Sequence, residues 1–291
     1  MVRGVLALVL ATLLWSGNYV AGRVLATAMP ALWLNGIRWT VSAVILWAIL
    51  RVMRRSLPLR THFRAFFLQG VLGMFLFSSL TYLGLHGVSA ARAGMISGLI
   101  PVVILLLGLW ILKERPRVWA MVGVVLSLVG VAFLFGGAFT QGQGLSIGDI
   151  ELLVAAVCWA AYTVVGKRLG ARLDPLTMTA GAAVYGGLLS DLVAVATNPS
   201  PHLHMTSAAW WSLLYVCTTS SVIAYLAWTY GVGRIGASRS APLMNLLPVW
   251  TVIAGLVLLH EQLSGQEFIG GLIIIAGAVL AGTRRRQKVA S

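Results

Sequence analysis

Carboxylates are what this sequence has least of. Seven Asp and Glu residues stand against 21 Lys and Arg in 291 residues, and charged residues make up only 10% of the chain. Soluble domains carry about 25% charged and about 45–50% apolar residues. Here 59% are apolar and the mean hydropathy is +0.92. A water-soluble fold has nowhere to hide so much apolar surface, so the chain reads as an integral membrane protein. Cysteine is scarce too. Cys158 and Cys217 lie in apolar runs with no CxxC or CxxH spacing, which argues against a zinc site or a disulfide framework. Both read as small core residues. No GxxxxGK[ST] segment is present, so ATP-driven pumping by this chain is not supported. Nor are His, Asp and Glu clustered at ligand or triad spacing, which weighs against an intramembrane enzyme. No metal and no cofactor is implied.

What the chain does have is long apolar runs. A spanning helix needs roughly 17–25 mostly apolar residues. Ten stretches qualify, near 4–24, 32–51, 65–86, 91–112, 117–136, 147–167, 176–196, 208–231, 239–260 and 266–283. The first resembles a signal peptide, but its apolar character runs on to about Gly22 with no convincing cleavage site, so it is expected to stay as a helix. Cytoplasmic loops collect Lys and Arg. With the amino terminus inside, eighteen of the 21 basic residues fall on inside segments. The outer side holds Arg92, with Arg23 and Arg38 near the outer ends of spans one and two, and gathers Asp149, Glu151, Asp191, Glu261 and Glu267. The net charge of +14 is therefore a topology signal rather than a nucleic-acid footprint. Both termini are expected in the cytoplasm.

The chain also repeats itself. Leu99 to Glu114 reads LIPVVILLLGLWILKE and Leu246 to Glu261 reads LLPVWTVIAGLVLLHE, identical at seven of sixteen positions. At the same offset of 147, Gly84 falls on Gly231, Arg92 on Arg239, Gly123 on Gly270 and Gly130 on Gly277. An offset of 144 puts Trp15 on Trp159 and Gly22 on Gly166. Residues 1–143 and 144–291 then hold five spans each, an odd number, so the second half enters the membrane from the opposite side. The expected fold is all-α, with ten transmembrane helices as two inverted five-helix repeats. Secondary transporters of this design place substrate near the bilayer midplane and rock one half against the other.

WSGNYVAGRVL at Trp15, IRW at Ile37, the two LxPV segments ending in Glu and the glycine-spaced spans after them resemble the drug/metabolite transporter superfamily, EamA branch. The resemblance runs from about residue 4 to 283, and within the superfamily the chain is most similar to YddG-type exporters of aromatic and other neutral amino acids. It implies a multi-pass protein of a bacterial cytoplasmic (inner) membrane, in contact with lipid, that exports a small neutral molecule such as an amino acid. The alternatives on the same fold are a multidrug exporter and a lipid or lipid-linked-sugar exporter. Distant small multidrug exporters use a glutamate in the first helix for proton coupling. Here that region is LLWSGNYV and holds no carboxylate.

With no acid near the middle of any span, the centre is expected to be an uncharged, hydrogen-bonding and aromatic-lined cavity. Its candidates are Trp15, Asn18, Tyr19, Ser79, Tyr82, Trp159, Tyr162, Tyr225 and Asn245. Ring faces suit an apolar side chain, and amides and hydroxyls suit the ends of a zwitterion. Pro101 and Pro248, near the middle of spans four and nine, are expected to kink their helices and to act as hinges. Arg23, Arg38, His86, Arg92 and Arg239 are expected at the mouths of the pathway, as gate contacts or attractors of a substrate carboxylate. Glu114 and Glu261 end their helices where the macrodipole disfavours a negative charge. Glu261 has no local base, so it is expected to cap or pair with a neighbouring segment.

Overall fold

In lipid a chain can leave no backbone N–H or C=O without an internal partner, which restricts spanning segments to helices or closed barrels. The computed structural model, which describes residues 1–111, 118–140, 145–169, 173–235 and 241–282, takes the helical solution, with no strand among those residues. In chain order the helices are α1 (Val2–Leu25), α2 (Ala31–Val52), α3 (Phe63–Gln69), α4 (Ser78–Gly87), α5 (Ala90–Ser97), α6 (Ile100–Ile111), α7 (Val118–Thr140), α8 (Ile147–Leu169), α9 (Pro175–Thr197), α10 (Ser207–Tyr215), α11 (Ala224–Ile235), α12 (Leu246–Leu258) and α13 (Gly265–Gly282). Among the described residues, eight helical stretches are long and apolar enough to cross a membrane. The segments expected as spans nine and ten carry shorter apolar helices, Leu243–Leu258 and Gly265–Leu280.

Polarity runs opposite to that of a soluble protein. Leu192, Val44 and Leu128 face outward at 67%, 60% and 55% exposure, while Thr12, Ser42, Ser190 and Thr251 are fully buried. Many of the buried hydroxyls bond back to their own helix. Ser16 donates to Leu13 O at 2.7 Å and Ser190 to Gly186 O at 2.7 Å. Others bridge helices and hold the centre together.

Packing is tightest where side chains are absent. On α7 and α13 the repeat glycines meet each other: a Cβ on Gly130 would lie 2.8 Å from Gly270 O, and one on Gly277 would lie 2.6 Å from Gly123 O. Ser127 Oγ crosses the same seam to Ile274 O at 3.2 Å. Small residues let membrane helices approach until backbones touch, which replaces the hydrophobic drive that lipid removes. Elsewhere α2 packs on α9, α1 on α10, α11 and α12, and α8 on α4 and α6.

Two helices are continuous but not α throughout. Between α3 and α4 lies a π-helical segment, Gly70–Phe77, and between α10 and α11 another, Val216–Ile223. They begin 146 residues apart and have the same length of eight residues. A π turn bonds i to i+5 and is rare outside functional sites. Here carbonyls of both segments are met by side chains from other helices. Asn35 Nδ2 donates to Met74 O at 2.8 Å, Trp15 Nε1 to Ser220 O at 3.1 Å, and Ser42 Oγ to Cys217 O at 2.8 Å.

The prolines sit differently from expectation. Span four is broken at Gly98 and Leu99 into α5 and α6, and Pro101 is the second residue of α6. Pro248 is the third residue of α12, which follows a 3₁₀ turn over Ala241–Asn245. The first four N–H groups of a helix have no intrahelical acceptor. Proline therefore sacrifices no bond there, and the result is an interrupted helix rather than a kinked one.

Candidate functional site

Asn35, Arg38 and Ser42 share one face of α2, and all three are buried. The spacing i, i+3, i+7 puts them on one stripe, turned toward α4 and the π segment Val216–Ile223. Arg38 was expected near the outer mouth. Instead it lies about 10 Å along the helix from Ala31 and is only 5% exposed. Its Nε donates to Ser221 Oγ at 2.7 Å, Nη1 to the Tyr82 hydroxyl at 2.7 Å and Nη2 to Ser220 Oγ at 3.4 Å. Tyr82 passes its own proton to Asn18 Oδ1 at 2.8 Å, and Ser220 Oγ reaches the same oxygen at 3.4 Å. The expectation of an uncharged centre is corrected on this point: the polar cluster of Asn18, Tyr82, Ser220 and Ser221 is built around a guanidinium.

The electrostatics of that guanidinium are unbalanced. Moving an ion out of water costs several kcal/mol even after relaxation. Two ring faces offset part of it: the guanidinium carbon lies 4.7 Å from the Trp39 ring centroid and 5.6 Å from that of Tyr82. A desolvated cation–π contact is worth about 2 kcal/mol. The three hydrogen bonds offset more. Yet among the described residues no carboxylate lies within ion-pairing distance of Arg38.

Around this hub the expected cavity residues divide into groups. Trp15 stands 5.2 Å edge-on from Tyr225 and 5.4 Å from Trp228, and Trp39 lies 6.2 Å from Tyr225, forming one aromatic group beside the cluster. Trp159 stacks on Tyr162 at 5.0 Å and lies 4.6 Å from Phe77, a second group against the other π segment. Ser79 accepts from Asn35 Nδ2 at 3.0 Å, and the same amide reaches Ser190 Oγ at 2.9 Å. Tyr19 lines a small cavity of about 10 Å³ with Thr81, Ser97 and Leu152, room for about one water. Asn245 is buried at the start of α12, and its Oδ1 has no partner among the described residues. A larger hollow of about 250 Å³ lies between α2 and α9, walled by Ala43, Val44, Trp47, Leu57, Val184 and Leu188, with Thr40 its polar member. Asn35 went unnoticed in the sequence. Its signal was the amide one turn before an arginine inside an apolar run.

The remaining charged candidates tie down one end of the bundle. Arg23 Nη1 donates to Leu85 O at 2.7 Å and His86 O at 2.9 Å, satisfying carbonyls at the C-terminal end of α4. His86 contributes its backbone carbonyl to that contact. Arg92 forms a bidentate pair with Asp149 at 2.9 and 3.1 Å and reaches Glu267 at 2.8 Å, with its guanidinium 5.1 Å from the Phe135 ring. Both carboxylates also close capping boxes. Asp149 accepts from Ser146 at the start of α8, and Glu267 from Ser264 at the start of α13. Glu261 completes the set, taking the Ala90 and Ala91 N–H groups at 2.7 and 2.8 Å. Three helix N-termini, of α5, α8 and α13, thus each receive a carboxylate, the sign their dipoles favour. Arg239 and Glu114 lie outside the described residues. Asp191, counted with the outside acids, lies within α9, where its Oδ2 accepts from Thr40 at 2.6 Å.

Among the described residues no group of three His, Cys, Asp or Glu side chains is arranged to hold a metal. The arrangement offers hydrogen-bond donors for an oxyanion beside ring faces, which is recognition chemistry. The sequence profile of the EamA-like transporter family matches residues 2–136 and again 146–283. The chain belongs to the EamA-like transporter family. Its similarities extend end to end. It is 27% identical over 293 residues to the uncharacterized transporter YoaV of Bacillus subtilis, covering 99% of this chain and 100% of that one. It is 27% identical to a protein of Escherichia coli named "Probable amino-acid metabolite efflux pump", covering 98% of this chain and 97% of that one. The Salmonella typhimurium protein of the same name is 29% identical, covering 94% and 92%. A solved crystal structure superposes with TM-score 0.69 at 24% identity over 96% of each chain, a shared fold. This EamA chain is therefore a multi-pass membrane transporter.

Proposed function

We propose that this EamA transporter exports small neutral metabolites, foremost amino acids with aromatic or other apolar side chains, across a bacterial cytoplasmic membrane. In this reading it is closest in kind to the YddG-type exporters. The observation that carries the reading is the buried cluster itself. Asn18, Arg38 and Tyr82 come from the first half of the chain and Ser220 and Ser221 from the second, and the aromatic group of Trp15, Tyr225 and Trp228 stands beside them. The names of the Escherichia coli and Salmonella typhimurium relatives, which speak of amino-acid metabolite efflux, support an amino-acid-like substrate.

The mechanism is alternating access. The halves are inverted five-helix repeats with both termini in the cytoplasm, and they separate first on one side of the cluster and then on the other. Matched family hits on both halves and matched π segments 146 residues apart support this symmetry. The helix interruptions before Pro101 and Pro248 are the hinges, since an interrupted helix bends without breaking further hydrogen bonds. Arg23, Arg92 and Arg239 then belong to the two mouths of the pathway.

Counterflow in proteoliposomes tests the reading. Vesicles loaded with one unlabelled amino acid at a time are diluted into its labelled form, with and without a pH gradient. Transient accumulation is expected for phenylalanine-like substrates. No exchange of any amino acid under either condition refutes the proposal. Pro101→Ala and Pro248→Ala are expected to slow exchange severalfold with binding retained; an equal loss of binding removes the hinge assignment.

A further inference from the structure

Arg38 is surrounded by acceptors, and every one of them is a neutral hydroxyl. A guanidinium has five N–H donors in a rigid fork. Three are used, on Ser221, Tyr82 and Ser220, the last at a long 3.4 Å. One N–H on each of Nη1 and Nη2 is left over, and these are the pair that a bidentate carboxylate takes. The hydroxyl protons already point elsewhere. Tyr82 donates to Asn18 Oδ1, and Ser221 Oγ donates to Val216 O at 2.7 Å. Arg38 therefore meets only oxygen lone pairs, held in place by a second layer of bonds.

Among the described residues, five carboxylates are engaged away from this centre. Asp149 and Glu267 serve Arg92, Asp174 faces Arg55, Asp191 takes Thr40, and Glu261 caps α5. A buried cation with no carboxylate in ion-pairing distance among the described residues can take an anion that arrives from outside. The ring faces of Trp15, Tyr225 and Trp228 lie beside the cluster, so the anion comes on a molecule with an apolar or flat body.

We propose that Arg38 is the carboxylate subsite of the transporter. The substrate's carboxylate takes the two free N–H groups of the guanidinium and displaces the weak contact to Ser220, while Tyr82 and Ser221 keep the fork oriented. The proposal rests on the transport reading for its biological use but not for its test. Carboxylate-bearing substrates are then preferred, and amines or amides of the same body bind about 10-fold or more weakly.

The test uses the purified full-length chain and three probes that share a benzyl group: phenylalanine, phenylacetate and 2-phenylethylamine. Thermal unfolding of the detergent-solubilised protein is followed with each probe. Phenylalanine and phenylacetate are expected to raise the midpoint, and 2-phenylethylamine to do so only at about 10-fold or more higher concentration, the loss of one charge-assisted contact. Arg38→Lys keeps the charge without the fork and is expected to weaken binding of both acids; Arg38→Gln is expected to abolish the difference between acids and amine. Because Arg38→Gln removes a structural hub and can fail to fold, the comparison of probes on the unaltered protein decides by itself. Protection by the amine equal to that by the acids overturns the proposal, as does protection by none of the three. Inorganic phosphate and chloride form a further arm, and protection by either as strong as by phenylacetate makes this a general anion site and overturns the carboxylate assignment. Protection by the acids without exchange of any amino acid in vesicles leaves the subsite standing and sinks the export reading. Exchange of 2-phenylethylamine as fast as phenylalanine does the reverse.

Discussion

Replacing Arg92 by glutamine tests the end-cluster on energetic grounds. The side chain of Asp149 is 2% exposed and that of Arg92 19%, so the bidentate pair between them is largely out of solvent. Removing one member of such a pair strands the other charge, which costs about 3–5 kcal/mol. Two local features soften the loss. Ser146 still donates its hydroxyl at 2.7 Å and its N–H at 3.0 Å to Asp149, and the carboxylate sits at the N-terminus of α8, where the dipole is worth about 0.3–1 kcal/mol. The expected cost of Arg92→Gln is therefore near the lower bound, about 3 kcal/mol. Asp149→Asn removes the charge that would be stranded, and Asn Oδ1 can still accept from Ser146. The double variant is expected to cost less than the sum of the singles, by about 1–2 kcal/mol. Unfolding of the four proteins by denaturing detergent, closed as a double-mutant cycle, measures that difference. Strict additivity, or a single-variant cost under about 0.5 kcal/mol, refutes the view that this network holds the helix ends together.

Three further outcomes are expected. Gly130→Leu drives a side chain into the α13 backbone at a seam where a Cβ already lies 2.6 Å from Ile274 N, and is expected to cost about 3 kcal/mol or more; Val131→Leu, one residue along, serves as the control in the same unfolding assay. Glu261→Gln keeps the shape but loses the charge that faces two N–H groups of α5, so a loss of about 1–2 kcal/mol is expected and a neutral result would remove the capping role. With both termini inside, a cysteine at Ser56 is expected to react with an impermeant thiol reagent only in inverted vesicles and one at Thr140 only in intact cells; the opposite pattern reverses the topology.

Much of this structure can be read in one dimension because lipid makes hydropathy a direct record of what spans. The helical segments, the matched glycine spacing of α7 and α13 and the dipole argument that sends Glu261 to a neighbouring segment all follow from composition and spacing. The packing of those glycines on one another comes from the fold. Arg38 shows where that record misleads. A count of basic residues by side of the membrane assigns Arg38, seven residues into span two, to the outer mouth, whereas burial depends on what the other helices bring to meet it. No linear pattern pairs Arg38 with Ser221, 183 residues away. Asn35 was overlooked for the same reason, since its partners Met74, Ser79 and Ser190 come from three separate segments. Ser146 with Asp149 and Ser264 with Glu267 are legible capping boxes, but a count of acids by side of the membrane reads them only as topology markers. Pro101 and Pro248 read in the sequence as mid-helix kinks, whereas they stand in the first turns of α6 and α12, where a missing N–H costs no helix bond.

The two π segments carry a consequence for how this fold tolerates change in length. Deleting one residue from a regular helix such as α2 turns everything beyond it by about 100°, which would swing Asn35, Arg38 and Ser42 away from the positions they share. A π turn holds one residue more than the α turn it replaces. A deletion inside Gly70–Phe77 or Val216–Ile223 can be absorbed by reversion to α geometry, with the helix on either side keeping its facing. These stretches are slack in the chain, placed at equivalent points of its two halves. Lineages can gain or lose a residue there while the arginine-centred cluster stays in register.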